Sequence, residues 1–291
     1  MHVTPSVMSC AALSILLVVC VLPLQGSSTQ DPIFSEAEAY ERFMGRWSRG
    51  MAPLLVRFAG VRDGDAVLDV GSGTGALTAA AAAAAPASRI VGIDPAAPYV
   101  ALARAQQGSS RVSFEVGDAQ RMMFPAASFD RVISLLVVNF IPDARRAVSE
   151  MVRVTRPKGT VAAAVWDYGE GMEMLRVFWD EAIALQPAND AKDERHMPFC
   201  RPGELAALWR AAGLQDVVEE ALTVETRFAS FDDYWTPFLA KQGPAGAYAS
   251  SLSVPDREAL RTRLRRRLLR DGSDQPFVLR ARAWAVRGTV P

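Results

Sequence analysis

The chain has 291 residues, with 32 Lys+Arg against 32 Asp+Glu and a formal net charge of zero. A general electrostatic grip on nucleic acid or anionic lipid needs a basic excess, so the balance argues against both. Half of the residues are hydrophobic and 22% are charged, which suits a globular chain with a sizeable core, as one large domain or two small ones. Cys10, Cys20 and Cys200 cannot make a disulfide framework. His2 and His196 are the only histidines, which leaves no His/Cys set for zinc and disfavours a catalytic triad.

Residues 1–30 contain no Asp, Glu, Lys or Arg, and Val7–Leu24 is almost wholly apolar. Three readings compete for this stretch: a signal peptide, a membrane anchor, or an extension without a role in the fold. A signal peptide lacks its basic n-region here, and an anchor lacks flanking Lys/Arg. The stretch is set aside for the fold. Membrane contact is expected through residues 7–24 only, and the cytoplasm is the expected compartment.

From residue 65 onward strand and helix signals alternate. Ala66–Val70 (AVLDV) reads as a buried strand, and the alanine run Ala76–Ala85 as a helix stopped by Pro86. Arg89–Ile93 is a second strand, Ala96–Gln107 a helix, and Val112–Val116 a third strand. Arg131–Leu136 is a fourth strand, Asp143–Val154 a helix closed by Pro157-Lys158-Gly159, and Thr160–Trp166 a fifth strand. Such alternation predicts an α/β, doubly wound, mostly parallel sheet with helices on both faces. Later, Val217–Phe228 alternates, with Val218, Leu222, Val224 and Phe228 on one side, and Phe277–Val286 alternates too. These predict an antiparallel C-terminal strand pair, which brings the sheet to seven strands. Two helices are expected between them. Residues 31–291 thus read as a single domain with cap insertions at about 168–201 and 229–276.

Ligands of such sheets sit beyond the carboxyl ends of the strands. There the sequence places Leu68-Asp69-Val70-Gly71-Ser72-Gly73-Thr74-Gly75, between a strand and a helix. Glycines let the backbone approach a ligand and turn its amides toward it. The stretch also satisfies the dinucleotide pattern G-x-G-x-x-G/A through Ala76, with Asp94 roughly 20 positions on. The loop alone therefore leaves a nicotinamide enzyme and other nucleoside binders open. Asp69 tips the balance, because a carboxylate beside a pyrophosphate would repel it and beside a cation would help. Asp118, after the third strand, completes three carboxylates at adjacent strand ends. That set suits a nucleoside with ribose hydroxyls, an amine and no phosphates.

These stretches resemble the class I S-adenosylmethionine-dependent methyltransferases of the large type 11 group, akin to quinone-biosynthesis C-methyltransferases. The resemblance rests on VLDVGSGTG (67–75), VGIDPAAPYV (91–100), VGDAQRMMFPAASFDRVIS (116–134) and RVTRPKGTV (153–161), in that order and spacing. Tyr40–Trp47 resembles the N-terminal lid segment of bacterial members. Pro157-Lys158-Gly159 departs from the family's usual Pro-Gly-Gly, at a turn outside the cofactor pocket. The resemblance implies a Rossmann-like fold and S-adenosyl-L-methionine as cofactor. It implies that Asp69 and the backbone of Gly71, Ser72, Gly73 and Gly75 face the methionine part. Asp94, followed by Pro95, would hold the ribose hydroxyls. Asp118 and the Ala119 amide would hold the adenine, and Ser134 would lie under the methionine moiety. Plainer roles stand beside these: a turn cap for Asp69, a helix N-cap for Asp94, a turn residue for Asp118, a strand filler for Ser134.

No catalytic base is evident. Asp167, Tyr168 and His196 are candidates to touch a small-molecule methyl acceptor, His196 reading more simply as a solvated loop residue. Phe178, Trp179, Phe199, Trp235, Phe238 and Tyr248 are candidates for an apolar acceptor pocket or for ordinary core. The basic run Arg261–Arg270 reads as a solvated helix face, or as a contact for membrane or an anionic substrate. The expected function is methyl transfer to a small apolar or aromatic molecule. An NAD(P)-dependent oxidoreductase and a non-catalytic S-adenosylmethionine binder are the alternatives.

Overall fold

The computed structural model describes residues 41–270 and 272–291. Tyr40 and the apolar run 7–24 lie outside the described residues. Strands β1 (Ala66–Val70), β2 (Arg89–Asp94), β3 (Val112–Val116), β4 (Phe129–Leu135), β5 (Thr155–Trp166), β6 (Gln215–Phe228) and β7 (Phe277–Thr289) form one sheet in the order β3-β2-β1-β4-β5-β7-β6. β1 to β5 run parallel, and β7 is antiparallel to both β5 and β6. The sheet is thus α/β and mostly parallel with an antiparallel C-terminal pair, as the alternating signals predict. The strand order reverses between β1 and β4, which opens a crevice at the carboxyl ends of β1 and β2.

Helices cover both faces. A π-helical turn (Glu41–Gly45) leads into α1 (Arg46–Ala59), whose Trp47, Met51 and Leu55 are fully buried. Burying each such side chain stabilises the fold by about 1.5–3 kcal/mol. α1 shares its core with α2 (Ala76–Ala84), α5 (Glu173–Leu185), Trp166 and Phe228. On the other face α4 (Ala144–Val154) and α6 (Glu204–Ala211) pack on Leu68, Val132, Val161 and Val286. α3 (Ala97–Gln106) covers Phe114 through Val100 and Ala103. Among the described residues, no helix is long and apolar enough to cross a membrane.

The differences from expectation have local causes. Asp143 is the N-cap of α4 rather than its first turn, accepting from the Arg146 N–H at 2.9 Å. β5 begins at Thr155, because Pro157-Lys158-Gly159 is a bulge inside the strand: the register jumps from Phe129↔Thr155 to Arg131↔Thr160. Lys158 takes the left-handed φ of 63° that its glycine counterpart in the family would adopt freely, and its N–H donates to Val290 O at 2.8 Å. The pairing of β6 with β7 is unbroken from Val218 to Phe228, so Val218, Leu222, Val224 and Phe228 lie on one side of the strand; Val218, beside a register shift after Gln215, is 36% exposed, while Leu222, Val224 and Phe228 pack on the core. Between β6 and β7 the chain forms α7 (Phe231–Trp235), α8 (Gly243–Ser251) and α9 (Val254–Leu269), one helix more than expected.

Candidate functional site

The glycine loop leaves β1 and tucks under the end of β2: the Gly71 and Ser72 N–H groups both donate to Ile93 O at 2.8 Å. Gly71 has φ 74°, and a Cβ there would lie 2.5 Å from Val137 Cγ1, so only glycine passes beneath that side chain. Gly73 (φ 52°) has open space where a Cβ would be, and Gly75 (φ 95°) starts α2 while donating to Ser72 O at 2.8 Å. The Ser72 hydroxyl is buried and has no hydrogen-bond partner.

The acids differ from one another. Asp69 is fully buried; its Oδ2 accepts from Thr78 Oγ1 at 2.6 Å, and its Oδ1 has no partner. Burial, with the nearby charge of Asp94 acting in the same direction, pushes its carboxyl up to about 7, against the Thr78 bond. Asp94 lies at the end of β2, also buried, and burial raises it too. Its Oδ2 accepts from Gly73 N and its Oδ1 from Ala96 N, both at 2.9 Å. The cap residue of α3 is Ala96 with no side-chain cap, so Asp94 ties the glycine loop to the turn before α3 and is not its N-cap. Pro95, between them, is exposed. Asp118 is exposed, two residues past the end of β3; its Oδ1 accepts from Gln120 N at 2.8 Å, so it does serve as a turn residue. Ala119 beside it is half-buried. Ser134 is buried in β4, and its hydroxyl donates to Val70 O at 2.8 Å.

The structure therefore gathers Asp69, Gly71, Ser72, Gly73, Gly75, Asp94 and Ser134 at the ends of β1, β2 and β4. Asp118 and Ala119 stand on the rim beyond β3, adjoining Asp94 through the Gly117 N–H to Asp94 O bond of 3.1 Å. Motif reading misses Thr78, although it is the one polar residue in the α2 run ALTAAAAAA. Within the stretch that resembles a lid segment, the Glu41 carboxylate accepts from the Thr74 hydroxyl and pairs with Arg49, which ties this segment to the glycine loop.

Across the crevice the expected acceptor residues are mostly structural. Asp167 is buried and pairs with Arg282 (Nε to Oδ2 2.8 Å), while Glu170 N–H donates to its Oδ1 at 3.0 Å. Tyr168 is buried. His196 is half-exposed and lies 3.1 Å from Asp190, as a solvated loop histidine would. Phe178 stacks on Phe238 (4.6 Å, 12°) and meets Trp179 edge-on, and both contact Tyr248. These aromatics, with Trp235, are buried core, and Phe199 is half-buried. Glu194 is buried, takes a bond from Trp179 Nε1, and is pushed by burial up to about 8. In the basic run, Arg261 pairs with Asp232, Arg263 with Glu181, Arg265 with Asp274 and Arg267 with Asp180, so four of its six arginines are engaged within the fold.

Several buried polar atoms here have no partner, Trp47 Nε1 and Gln242 Oε1 among them. Asn139, in the turn Val138–Phe140 after β4, donates through Nδ2 to Met197 Sδ (3.6 Å), but its Oδ1 has none; Trp166 Nε1, at the end of β5, has none either.

Comparison with known proteins agrees with this geometry. A family model described as a methyltransferase domain matches residues 68–163, which hold the glycine loop, Asp69, Asp94, Asp118 and Ser134. Nocamycin O-methyltransferase of Saccharothrix syringae is 32% identical over 198 residues, covering 62% of this chain and 70% of that protein. An uncharacterized Mycobacterium tuberculosis protein is 35% identical over 116 residues, and the match spans 42% of its length and 40% of this chain. Haemonchus contortus phosphoethanolamine N-methyltransferase 2, solved with S-adenosyl-L-methionine, shares the fold at a TM-score of 0.53 and 19% identity, over 89% of this chain and 56% of that one. The glycine loop's two open readings are thereby decided: the chain belongs to the class I S-adenosylmethionine-dependent methyltransferases.

Proposed function

We propose that the chain transfers a methyl group from S-adenosylmethionine to an oxygen of a small, apolar molecule. The observation that carries the cofactor half is the pair of buried acids at the glycine loop. Asp69 and Asp94 stand close enough to couple, and Asp69 Oδ1 and Ser72 Oγ are both buried without a partner. Buried negative charge repels a pyrophosphate and favours a phosphate-free cation. In this reading Asp69 and the Gly71–Gly75 backbone face the cationic amino-acid part. Asp94, already oriented by the Gly73 and Ala96 amides, keeps lone pairs for ribose hydroxyls. Asp118 and Ala119 on the rim take the adenine, and Ser134, bonded to Val70, supports the floor. When bound, the cofactor supplies a methyl group already activated by its sulfonium, so alignment and exclusion of water can provide much of the rate.

Oxygen as the methyl acceptor is supported by the nocamycin O-methyltransferase relative. The segments at about 168–201 and 229–276 form the acceptor side, whose buried surface is apolar and aromatic. Titration calorimetry with S-adenosylmethionine, S-adenosylhomocysteine and NAD tests the cofactor: binding of NAD alone would sink the proposal. Label from a methyl-labelled donor appearing in no acceptor at all would leave the chain a binder and not an enzyme.

A further inference from the structure

We propose that Thr78 is a positioning residue of the cofactor site: its hydroxyl fixes the Asp69 carboxylate and stabilises its negative charge for the cationic amino-acid part of the cofactor. The inference rests on the methyltransferase reading, in which Asp69 faces that part, and adds the residue through which Asp69 is held. The bond from Thr78 Oγ1 to Asp69 Oδ2 is 2.6 Å long, and both residues are 0% exposed. A hydrogen bond to an ionised acceptor is about twice as strong as one between neutral groups, and burial strengthens it further.

Strand and helix bring the two together. Asp69 lies in the middle of the sheet, paired with Gly92 of β2 and with Ile133 of β4. Side chains alternate along a strand, so Asp69 emerges on the side of Val67, which shares a core cluster with Leu77 and Ala81 of α2, and away from Leu68 and Val70. Gly75 is the N-cap of α2, which puts Thr78 in the first turn, where the helix dipole favours negative charge. The rest of α2 (ALTAAAAAA) offers no polar side chain. A hydroxyl has one hydrogen to give. Ser48, Ser149 and Thr155 give theirs to the carbonyl four residues earlier, on Met44, Arg145 and Met151. Thr78 gives its hydrogen to Asp69 instead.

The bond bears on when Asp69 is charged. Burial pushes the carboxyl up to about 7, and the Thr78 hydroxyl is the largest influence in the opposite direction. Asp94, at the end of β2, acts with burial. Among the other elements around it, α2 contributes no ionisable group and Ser134 of β4 is neutral, while Arg46 and Arg49 of α1 are paired with Asp233 and Glu41. Glu41, bonded to Thr74, is a third acid beside the loop. Removing the Thr78 hydroxyl therefore leaves a carboxyl that ionises only at higher pH, and weakens the hold on an ammonium group near neutrality. Such an attraction acts across several ångströms of buried protein and needs no direct contact. The nucleoside half of the cofactor carries no ammonium and is indifferent to it.

The test compares S-adenosylhomocysteine with 5′-methylthioadenosine, a thioether nucleoside without the amino-acid part. Both are titrated by calorimetry into the full chain, the weaker ligand by competition. Thr78→Val keeps the shape and removes the hydroxyl. At pH 7 it should weaken S-adenosylhomocysteine about fivefold or more, because losing a bond to a charged group moves the ionisation up by about one pH unit or more. The Kd of 5′-methylthioadenosine should stay within about twofold. Between roughly pH 6 and 8.5 the preference for S-adenosylhomocysteine should rise with pH, and in Thr78→Val it should rise about one pH unit later than in the parent. Thr78→Ser, which keeps the hydroxyl, should behave as the parent does. If Thr78→Val does not fold, Thr78→Ala, which continues the alanine run, carries the test. Equal weakening of both ligands with an unmoved pH profile would make Thr78 purely structural and overturn the inference. An unchanged S-adenosylhomocysteine Kd in the variant, a Thr78→Ser that behaves like Thr78→Val, or a parent without preference between the ligands would overturn it too. Failure of the parent to bind S-adenosylhomocysteine overturns the cofactor reading instead.

Discussion

Replacing Asp69 by asparagine keeps the side-chain size and the acceptor for Thr78 but removes a titrating group from full burial. The Asp69 carboxyl stands at about 7 in the folded chain against 3.8 when solvated, because burial disfavours its charge and Asp94 adds to that. Three units at about 1.4 kcal/mol each correspond to about 4 kcal/mol. Between the two values the folded chain holds the proton that the unfolded chain has lost. This contribution to stability is therefore complete below 3.8 and disappears as the pH rises through about 7. Urea unfolding across roughly pH 4 to 9 should show the parent protein losing about 4 kcal/mol more than Asp69→Asn over that range. Glu194, pushed up to about 8, gives a slope of the same sign in both proteins and cancels in the difference. Superimposable pH profiles for the two would refute the claim that Asp69 is protonated in its buried setting.

The same protonation predicts that affinity for the cationic S-adenosylmethionine rises up to about tenfold per pH unit below about 7, with a weaker rise for the neutral thioether S-adenosylhomocysteine, both measured by calorimetry. Asp94→Ala should weaken S-adenosylhomocysteine binding by about 1.5–3 kcal/mol, and an unchanged Kd in a folded variant would remove Asp94 from the ribose. Gly71→Ala should destabilise the chain by about 1–3 kcal/mol through overpacking against Val137 and its positive φ. Val137→Ala should then relieve part of that loss, and strict additivity in the double variant would show that the two do not touch. Lys158→Gly should raise the Tm by a few degrees, because the left-handed φ of 63° costs a lysine about 1 kcal/mol that glycine avoids; a fall in Tm would show that the Lys158 side chain contributes more than the backbone strain costs.

The parallel strands are legible because burial on both faces writes them as continuous apolar runs, as in AVLDV, and helical periodicity or Pro and Gly mark their neighbours. Period reading fails where a bulge changes the phase. That is how Pro157-Lys158-Gly159 passes for a terminator although β5 runs through it. The glycine loop and its two buried acids are visible as a motif, since close backbone approach demands those residue types at that spacing. The environment of Asp69 is not visible, because it depends on Thr78 one helix away and on how deeply β1 is buried. The partners of Arg261–Arg267 are equally hidden, since Asp180, Glu181 and Asp232 come from other helices or their junctions.

The position of β7 between β5 and β6 bears on how the molecule comes together during synthesis. β6 emerges first and has no neighbour in the sheet until β7, with α7 to α9 intervening, arrives to bridge it to β5. The cofactor half, β1 to β5, can therefore pair up early, while the half that would choose the methyl acceptor waits for one late, long-range closure. A ribosome-bound intermediate is expected to retain a nucleoside before it can discriminate among acceptors. The long unpaired edge of β6 is then the stretch that chaperones have most reason to shield.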